Sequence, residues 1–368
     1  MKQHNQSLTA IALQKFKKNF WGVFSFWFIV GLIFLSVFAY VLAPDNSENA
    51  NQMHLSIHSK SPGFEVLLLS VPLDEKPETG AMNYFSGFPN TVTEIPISDY
   101  QIKGNAIVYQ EYTDEPDLKN VKQITLDKFP SAKTIQEVEQ QFIRKQHFIL
   151  GTDKYGRDVL SRMLVGSRVS LSIGFVAVFI SLIVGIFFGA IGGYFGGKTD
   201  AFVMWLVNII WSIPTLLLVI AITLALGKGF WQVFVAVGLT MWVEVARVVR
   251  GQVISVKEMQ YVTAARALGF GNTRIIFNHI LPNVMAPVIV ISAANFASAI
   301  LVESGLSFLG LGAQPPIPSW GSMIKDHYSY IILGKPYLAM VPGLAIMLVT
   351  LAFMMVGNAL RDAMDVKG

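Results

Sequence analysis

Four positions, Gly192, Gly197, Lys198 and Thr199, fall on the spacing of a phosphate-binding loop, G-x-x-x-x-G-K-T. In such a loop, backbone amides cradle phosphate, the lysine reaches it, and the threonine hydroxyl holds magnesium. That chemistry needs a strand before the loop, a helix after it and a soluble domain around it. Here a long apolar run precedes the pattern and another follows within a few residues, and no acid sits in a short strand to hold the metal. The pattern therefore reads as a glycine-rich turn with Lys198 at the level of lipid headgroups, and no nucleotide site is assigned to this chain.

Other catalytic constellations are equally thin. There is no cysteine, which excludes disulfides, thiolate catalysis and Cys-based metal sites. The six histidines show no metal-ligand spacing, so neither a catalytic residue nor a metal site is assigned. No Ser–His–Asp or paired-carboxylate arrangement recurs on a soluble scaffold. Some ionisable groups do sit in apolar surroundings, where such groups are costly and default to function. Glu303, at one end of an apolar run, reads as a structural hydrogen bond or as a gate in a pathway. Glu244 and Arg247 stand at i, i+3, which places both on one helix face and reads as a snorkelling ion pair, with substrate contact as the alternative. Pro214 should kink the apolar run that holds it, and Trp231 and Trp320 read as anchors at a membrane interface.

The segment Tyr261–Pro282 carries the clearest local design. Val262–Leu268 contains strong helix formers, Gly269 and Gly271 offer a left-handed stop, and Asn272 or Thr273 can cap a second helix. Pro282 then marks entry into an apolar run. Ala264, Ala265 and Ala267 give the first helix a smooth surface that another protein's backbone could approach closely. An amphipathic connector lying on a membrane surface would show the same pattern.

What must position these groups is set by composition. The chain has 368 residues, 53% hydrophobic and 14% charged, where soluble domains carry about 25% charged residues. A first apolar run, Phe20–Leu42, is too long for a signal-peptide core and reads as a retained helix closed by Pro44. Five more follow at about Val169–Tyr194, Ala201–Leu226, Trp231–Val249, Ile280–Leu301 and Tyr337–Leu360, each near the roughly 20 residues needed to cross a bilayer. The N-terminal stretch 1–19 is polar, with Lys2, Lys15, Lys17 and Lys18 and no acid, so it is expected in the cytoplasm. Counting crossings puts the loops at 195–200 and 250–279 and the C-terminus on the same side. Arg250, Lys257, Arg266 and Arg274 face only Glu258 in the second loop, in keeping with that orientation. Arg144, Lys145, Lys154, Arg157, Arg162 and Arg168 fall on the outside in this scheme, tolerable because long loops translocate largely regardless of charge. The basic residues are scattered, so nucleic acid is not expected as a partner.

Between the first and second runs, residues 45–150 hold 15 acidic and 9 basic residues. Apolar runs at His54–His58, Phe64–Val71, Thr91–Ile97, Ala106–Tyr112 and Gln123–Leu126 read as strands, and Ile135–Phe148 as an amphipathic helix. The expectation is a small β-rich or α+β extracytoplasmic insertion, with an acidic flexible loop as the alternative. The domains are then 1–19, a helix at 20–43, the insertion at 44–150, and a membrane domain at 151–368 with its loop at 250–282.

The loop resembles the cytoplasmic signature of binding-protein-dependent ABC importer permeases: Glu-Ala-Ala, three residues, Gly, nine residues, Ile-x-Leu-Pro. Ala264, Ala265, Gly269, Leu281 and Pro282 fall on it, with Arg266 inside it. Thr263 stands where the family often has Glu. His279 stands where the general pattern has Ile, but His279–Asn283 is similar to the His-Ile-Leu-Pro-Asn of the oligopeptide, dipeptide and nickel branch. Leu150–Arg162, Glu303–Gly312 and Pro316–Gly321 are similar to three further motifs of that branch. Pro214 matches a proline in relatives, and Asn208 stands where they often have Asp. The likeness covers 150–368 strongly, 1–44 weakly and the insertion not at all.

The resemblance implies an all-α polytopic membrane protein with six transmembrane helices, the type I importer fold, carrying the insertion between helices 1 and 2. It implies a non-catalytic permease pairing with a homologous permease, two ATPase subunits that bind the ATP and magnesium, and an external substrate-binding protein. The coupling helix would lie at about Lys257–Leu268. A membrane-embedded enzyme and a membrane anchor for an envelope complex are the rival readings. The enzyme reading predicts catalytic groups clustered at one depth, which the sequence does not show, and the anchor reading does not need the small-residue helix and the glycine turn together.

Overall fold

The structure, a computed structural model, describes residues 8–73, 80–115, 120–227 and 229–364. The chain starts with α1 (Leu8–Lys18) and α2 (Phe20–Val37), whose cap Asn19 accepts the Gly22 amide at 2.9 Å. The basic stretch expected as a polar tail is thus helical from Leu8. Lys15, Lys17 and Lys18 occupy its last turn, where the helix dipole favours cations. Lys2 lies outside the described residues. A break at Phe38 leads to α3 (Ala39–Leu42), ahead of Pro44.

The insertion folds as β1 (Phe64–Pro72), α4 (Asn83–Ser86), β2 (Val92–Lys103), β3 (Ala106–Glu111), β4 (Val121–Thr125), α5 (Ile135–Phe142) and β5 (Ile143–Phe148). The five strands make one antiparallel sheet in the order β4-β3-β2-β1-β5. Gly104, at φ +60°, and Asn105 close the β2–β3 hairpin in the two-residue turn that suits the twist of paired strands. Leu69, Ile97, Ile107 and Tyr109 on one face of the sheet meet Ile135 and Val138 of α5. Val66, Leu68 and Phe148 on the other cover Ile57. Two expectations are corrected. His54–His58 is not a strand but a tight turn, Leu55–Ile57. Its flanking amides are committed elsewhere: His54 donates to the Tyr155 carbonyl and Ser59 to that of Asp153. Ile135–Phe148 is not one helix, because the chain from Ile143 onward pairs along the free edge of β1, Ile143 opposite Leu69 and Phe148 opposite Phe64.

The basic residues before the second span are held by partners in the insertion and in the membrane domain. Arg144 bonds Glu94 at 2.6 Å, Lys145 bonds Glu65 at 2.5 Å, and Lys154 bonds Asp326 at 3.0 Å. Arg157 bonds Asp153 at 2.7 Å with both side chains buried, and Arg168 donates to the Phe85 carbonyl. Burial pushes the Glu94 carboxyl up, but the His54 hydrogen bond and the charges of Arg144 and His54 outweigh it and hold it below its usual range. Cations engaged by folded partners need no retention inside.

The helical part comprises α6 (Val159–Phe195), α7 (Gly197–Trp211), α8 (Thr215–Leu226), α9 (Phe230–Lys257), α10 (Gln260–Ala267), α11 (Asn272–Ile275), a π-helical turn (Ile276–Ile280), α12 (Leu281–Phe308), α13 (Trp320–His327) and α14 (Tyr337–Met364). Helix α6 begins well before the expected Val169, because Asp158 caps it by accepting the Ser161 amide at 2.9 Å. Among the described residues, five helical spans are long and apolar enough to cross a membrane by themselves. The expected Ala201–Leu226 span is instead two helices meeting at 91°. Pro214 sits at this break as the cap of α8, so its effect is a near right angle and not a kink.

Glycine contacts decide whether that bent pair crosses. Gly185 packs on Val245, Gly189 on Val249 and Gly193 on Val253, while Gly238 meets Ala177. The numbers rise together, so α6 and α9 run parallel and end on the same side. The chain between them, α7 with α8, must recross, which makes six crossings. Helices α12 and α14 are antiparallel, with Gly357 against Ala293 and Phe353 stacked on Phe296. Helices α2 and α14 are antiparallel too, with Gly22 against Ala359 and Ser25 beside Met355. The start of α2, the end of α14 and the α9–α12 connection therefore share one side, and the insertion lies on the other.

Trp320 is not an interface anchor. It is 2% exposed, and its indole N–H donates to the Met163 carbonyl at 3.1 Å. Trp231, 66% exposed at the start of α9, fits that expectation.

A Cβ on Gly189 would stand 2.6 Å from the Ala246 carbonyl oxygen and 2.8 Å from the Val249 Cβ. Gly189→Val is expected to cost about 1–3 kcal/mol, read as a lower unfolding temperature of the solubilised protein. Gly31→Ala, with nothing within 4 Å, should be neutral or mildly stabilising. Equal behaviour of the two variants would contradict the close-packing account.

Candidate coupling site

The α9–α12 connection is built from one buried edge and one free face. Helix α9 ends at Lys257, whose ammonium donates to the Gly193 carbonyl at 3.2 Å. Met259 is extended and starts α10. Val262 and Ala265 point inward, 0% and 4% exposed, into a cluster with Val253, Val256, Ile275, Ile276 and Ile280. Thr263, Ala264, Arg266 and Ala267 are exposed, as is Leu268 at 73%. The smooth surface read from three alanines thus consists of Ala264 and Ala267, since Ala265 belongs to the core.

Gly269 has φ +76°, the left-handed conformation expected of a helix stop, and its amide donates to the Arg266 carbonyl at 2.9 Å. The second helix is capped differently from expectation. Gly271 is the N-cap, with no side-chain cap bond, and the Asn272 side chain instead accepts the Tyr194 hydroxyl at 2.9 Å. His279 stacks on Phe270 with ring centroids 5.9 Å apart, and the Arg274 guanidinium lies 4.1 Å from the same ring. Asn283 donates to the His279 carbonyl at 2.7 Å, and Leu281 and Pro282 open α12. Phe270 and Tyr194, on which Arg266 lies at 5.4 Å, carried no signal in the sequence beyond being aromatic.

The remaining candidates are elsewhere. Glu303 is fully buried, and one of its carboxylate oxygens accepts the Ser307 hydroxyl at 2.6 Å. Ser307 also lies 3.3 Å from the hydroxyl of Ser319, the cap of α13, so the group ties α12 to α13. The expected Glu244–Arg247 pair does not form. Arg247 turns toward α7, donates to Asn208 at 2.9 Å and stacks 3.5 Å over Trp211 at the end of that helix. Arg250 makes two bonds to Asp200, at 2.5 and 2.6 Å, clamping the start of α7 to α9. The Gly192–Thr199 decoy is spent on packing and turning: Gly192 faces Val203, and Gly196 and Gly197 have φ +66° and +53°.

Ala265→Glu would place a carboxylate among Ile275, Ile280 and Val253, and should lower the unfolding temperature by several degrees. Ala264→Glu, on the open face, should leave it nearly unchanged. Equal losses would show that the helix is not docked as described.

Two family models match. The inner membrane component of binding-protein-dependent transport systems covers residues 181–367, and the N-terminal transmembrane domain of oligopeptide transport permease C covers residues 7–62. The chain is similar to the dipeptide transport system permease of Alkalihalophilus pseudofirmus, 44% identical over 59% of this chain and 71% of that one. It is similar to the oligopeptide transport system permease of Bacillus subtilis, 39% identical over 61% and 72%. It is also similar to the glutathione transport system permease of Pectobacterium atrosepticum, 38% identical over 59% and 72%. Among solved structures, the inward-facing MetNI methionine ABC transporter shows a TM-score of 0.46 at 17% identity, over 55% of this chain and 95% of that one. The chain belongs to the inner-membrane components of binding-protein-dependent transport systems and is a non-catalytic, multi-pass permease subunit of an ABC transporter.

Proposed function

We propose that this permease imports di- or oligopeptides, forming the translocation path with a second, homologous permease and taking its drive from two separate ATPase subunits docked on α10 and its glycine turn. The observation that carries the reading is the build of α10. Val262 and Ala265 fix it to the ends of α9 and α12, while Thr263, Ala264, Ala267 and Leu268 stay open for a partner. Such a helix transmits force as a rigid body, since its backbone hydrogen bonds are internal. ATP and magnesium are bound by the ATPases, and an external binding protein delivers the substrate. The relatives named above carry dipeptides, oligopeptides and glutathione, itself a tripeptide, which supports short peptides as the class.

The orientation follows from charge. Lys15, Lys17, Lys18, Arg250, Lys257, Arg266 and Arg274 lie at the side shared by the start of α2, the end of α14 and the coupling loop, which is taken as cytoplasmic. The insertion then faces outward, beside the route by which a binding protein would approach.

Two measurements test this. Gly269→Pro cannot adopt the positive φ of the turn, and Ala267→Glu puts a charge on the open face of α10. Both should insert normally, yet lower peptide uptake by reconstituted transporter about tenfold or more relative to ATP hydrolysed. Unchanged uptake in both would refute the docking assignment. For topology, the native absence of cysteine allows single-site labelling. Ser61→Cys should react with an impermeant maleimide in intact cells and Leu268→Cys only after permeabilisation, and the reverse pattern would invert the orientation.

A further inference from the structure

Helix α9 carries a carboxylate that no described residue of this chain answers. Glu244 stands six residues before Arg250 on α9, about 9 Å inward of that charge and within the membrane-spanning part of the helix. It is exposed, and among the described residues its side chain has no hydrogen bond or ion pair. An exposed charge at this depth cannot face lipid without heavy cost.

The surfaces of the neighbouring helices differ in kind. The exposed positions of α6 along the same stretch are Phe175, Phe179, Ile183 and Phe187, a stripe fit for acyl chains. Below Glu244 the exposed positions of α9 are Gly251 and Ser255, both small, and Glu258 caps the helix end. The break between α7 and α8 lies nearby, with Ser212, Ile213 and Pro214 exposed. Non-helical backbone at membrane depth is tolerated only inside protein or along a water-filled cavity.

Beside that break sits an under-compensated cation. Arg247 has a neutral amide, Asn208, and the face of Trp211 as partners, while its Nε is buried without a hydrogen bond. A guanidinium so placed retains donors suited to a carboxylate. Glu244 and Arg247 are about 4.5 Å apart along the helix axis, yet they do not pair. One turn of α9 thus carries an unanswered anion and a partly answered cation side by side.

We propose that Glu244 and Arg247 form a binding site, within the membrane-spanning part of α9, for a dipeptide-sized zwitterion, with the ammonium on Glu244 and the terminal carboxylate on Arg247. The termini of an extended dipeptide are at most about 7 Å apart, a span two neighbouring side chains of one helix turn can bridge. The proposal rests on the peptide-importer reading above and adds to it the place and the polarity of contact.

The test uses the complete transporter, with its second permease and ATPases, in lipid nanodiscs without binding protein. Radiolabelled Ala-Ala, N-acetyl-Ala-Ala and Ala-Ala amide are the probes. The wild type should bind Ala-Ala about tenfold more tightly than either blocked form. Glu244→Gln should bind Ala-Ala and N-acetyl-Ala-Ala alike while still disfavouring the amide, and Glu244→Asp should recover the preference. A wild type that binds all three equally overturns the proposal, and that comparison needs no variant to fold. Release of the second permease from Glu244→Gln would mark an intersubunit ion pair and also overturn it. The importer reading is tested separately, with binding protein present: a wild-type complex that takes up no peptide defeats that reading, whereas normal uptake without terminal discrimination at this site defeats only the zwitterion site.

Discussion

The contact between α6 and α9 is the constraint on which the other parts depend. Bilayer lipid is as apolar as leucine, so helices associate there through close packing and not through exclusion of water. Gly185, Gly189 and Gly193 supply a smooth groove along α6, and Val245, Val249 and Val253 of α9 fill it. Because the two helices are parallel, the chain between them must return across the membrane. The return is made in two pieces, with the proline at the joint. Because they end together, Lys257 can hold the Gly193 carbonyl and Tyr194 can hold Asn272, which sets where α10 begins and where α12 starts back.

The opposite end is organised by charge. Asp153 and Arg157 are buried together ahead of α6, Arg162 lies 3.8 Å from the same carboxylate, and Asp158 caps the helix. Removing one member of such a buried pair costs about 3–5 kcal/mol, because the other is left without compensation. The insertion is fastened to this knot and to the start of α14. Asp45 donates its amide to Ser161 at 2.9 Å, and the Tyr337 hydroxyl donates to the Lys60 carbonyl at 2.6 Å. The sheet is thereby an integral cap on the membrane domain at that end. The same pairing accounts for a run of cations on the side where bare basic loops are disfavoured.

Periodicity and turn residues made much of this legible. Strands β1, β3 and β4 lie within a few residues of their apolar runs, and Gly269 does what a glycine after a helix usually does. The failures share a cause. His54–His58 has the alternation of a strand, but its amides are claimed by a loop nearly 100 residues away. Ile143–Phe148 has helix-compatible residues, but a free sheet edge takes it. Trp320 looks like an anchor until Met163 supplies a buried acceptor. In each case a distant partner outbids local preference, and one sequence does not name that partner. The glycines of α6 were legible in principle, since small residues four apart mark a close helix contact.

Helix α9 joins the two ends of the proposed mechanism. It carries Glu244 and Arg247 within its membrane-spanning part, clamps α7 through Arg250 and Asp200, and passes through Glu258 and Met259 into α10. A displacement of α10 by a docked partner would be borne by Val262 and Ala265, which pack in one cluster with the end of α9 and with Ile275, Ile276 and Ile280 just ahead of α12. As α9 is one unbroken helix, such a shift reaches Arg247 with little loss. What yields is the weakest connection at that level: a guanidinium held by one amide and one aromatic face, beside a break whose two helices share no continuous hydrogen-bond ladder. A path opened at the joint of α7 and α8 would expose the zwitterion site in the same motion that rotates the coupling helix. Drive and substrate contact would then be two readings of the tilt of a single helix.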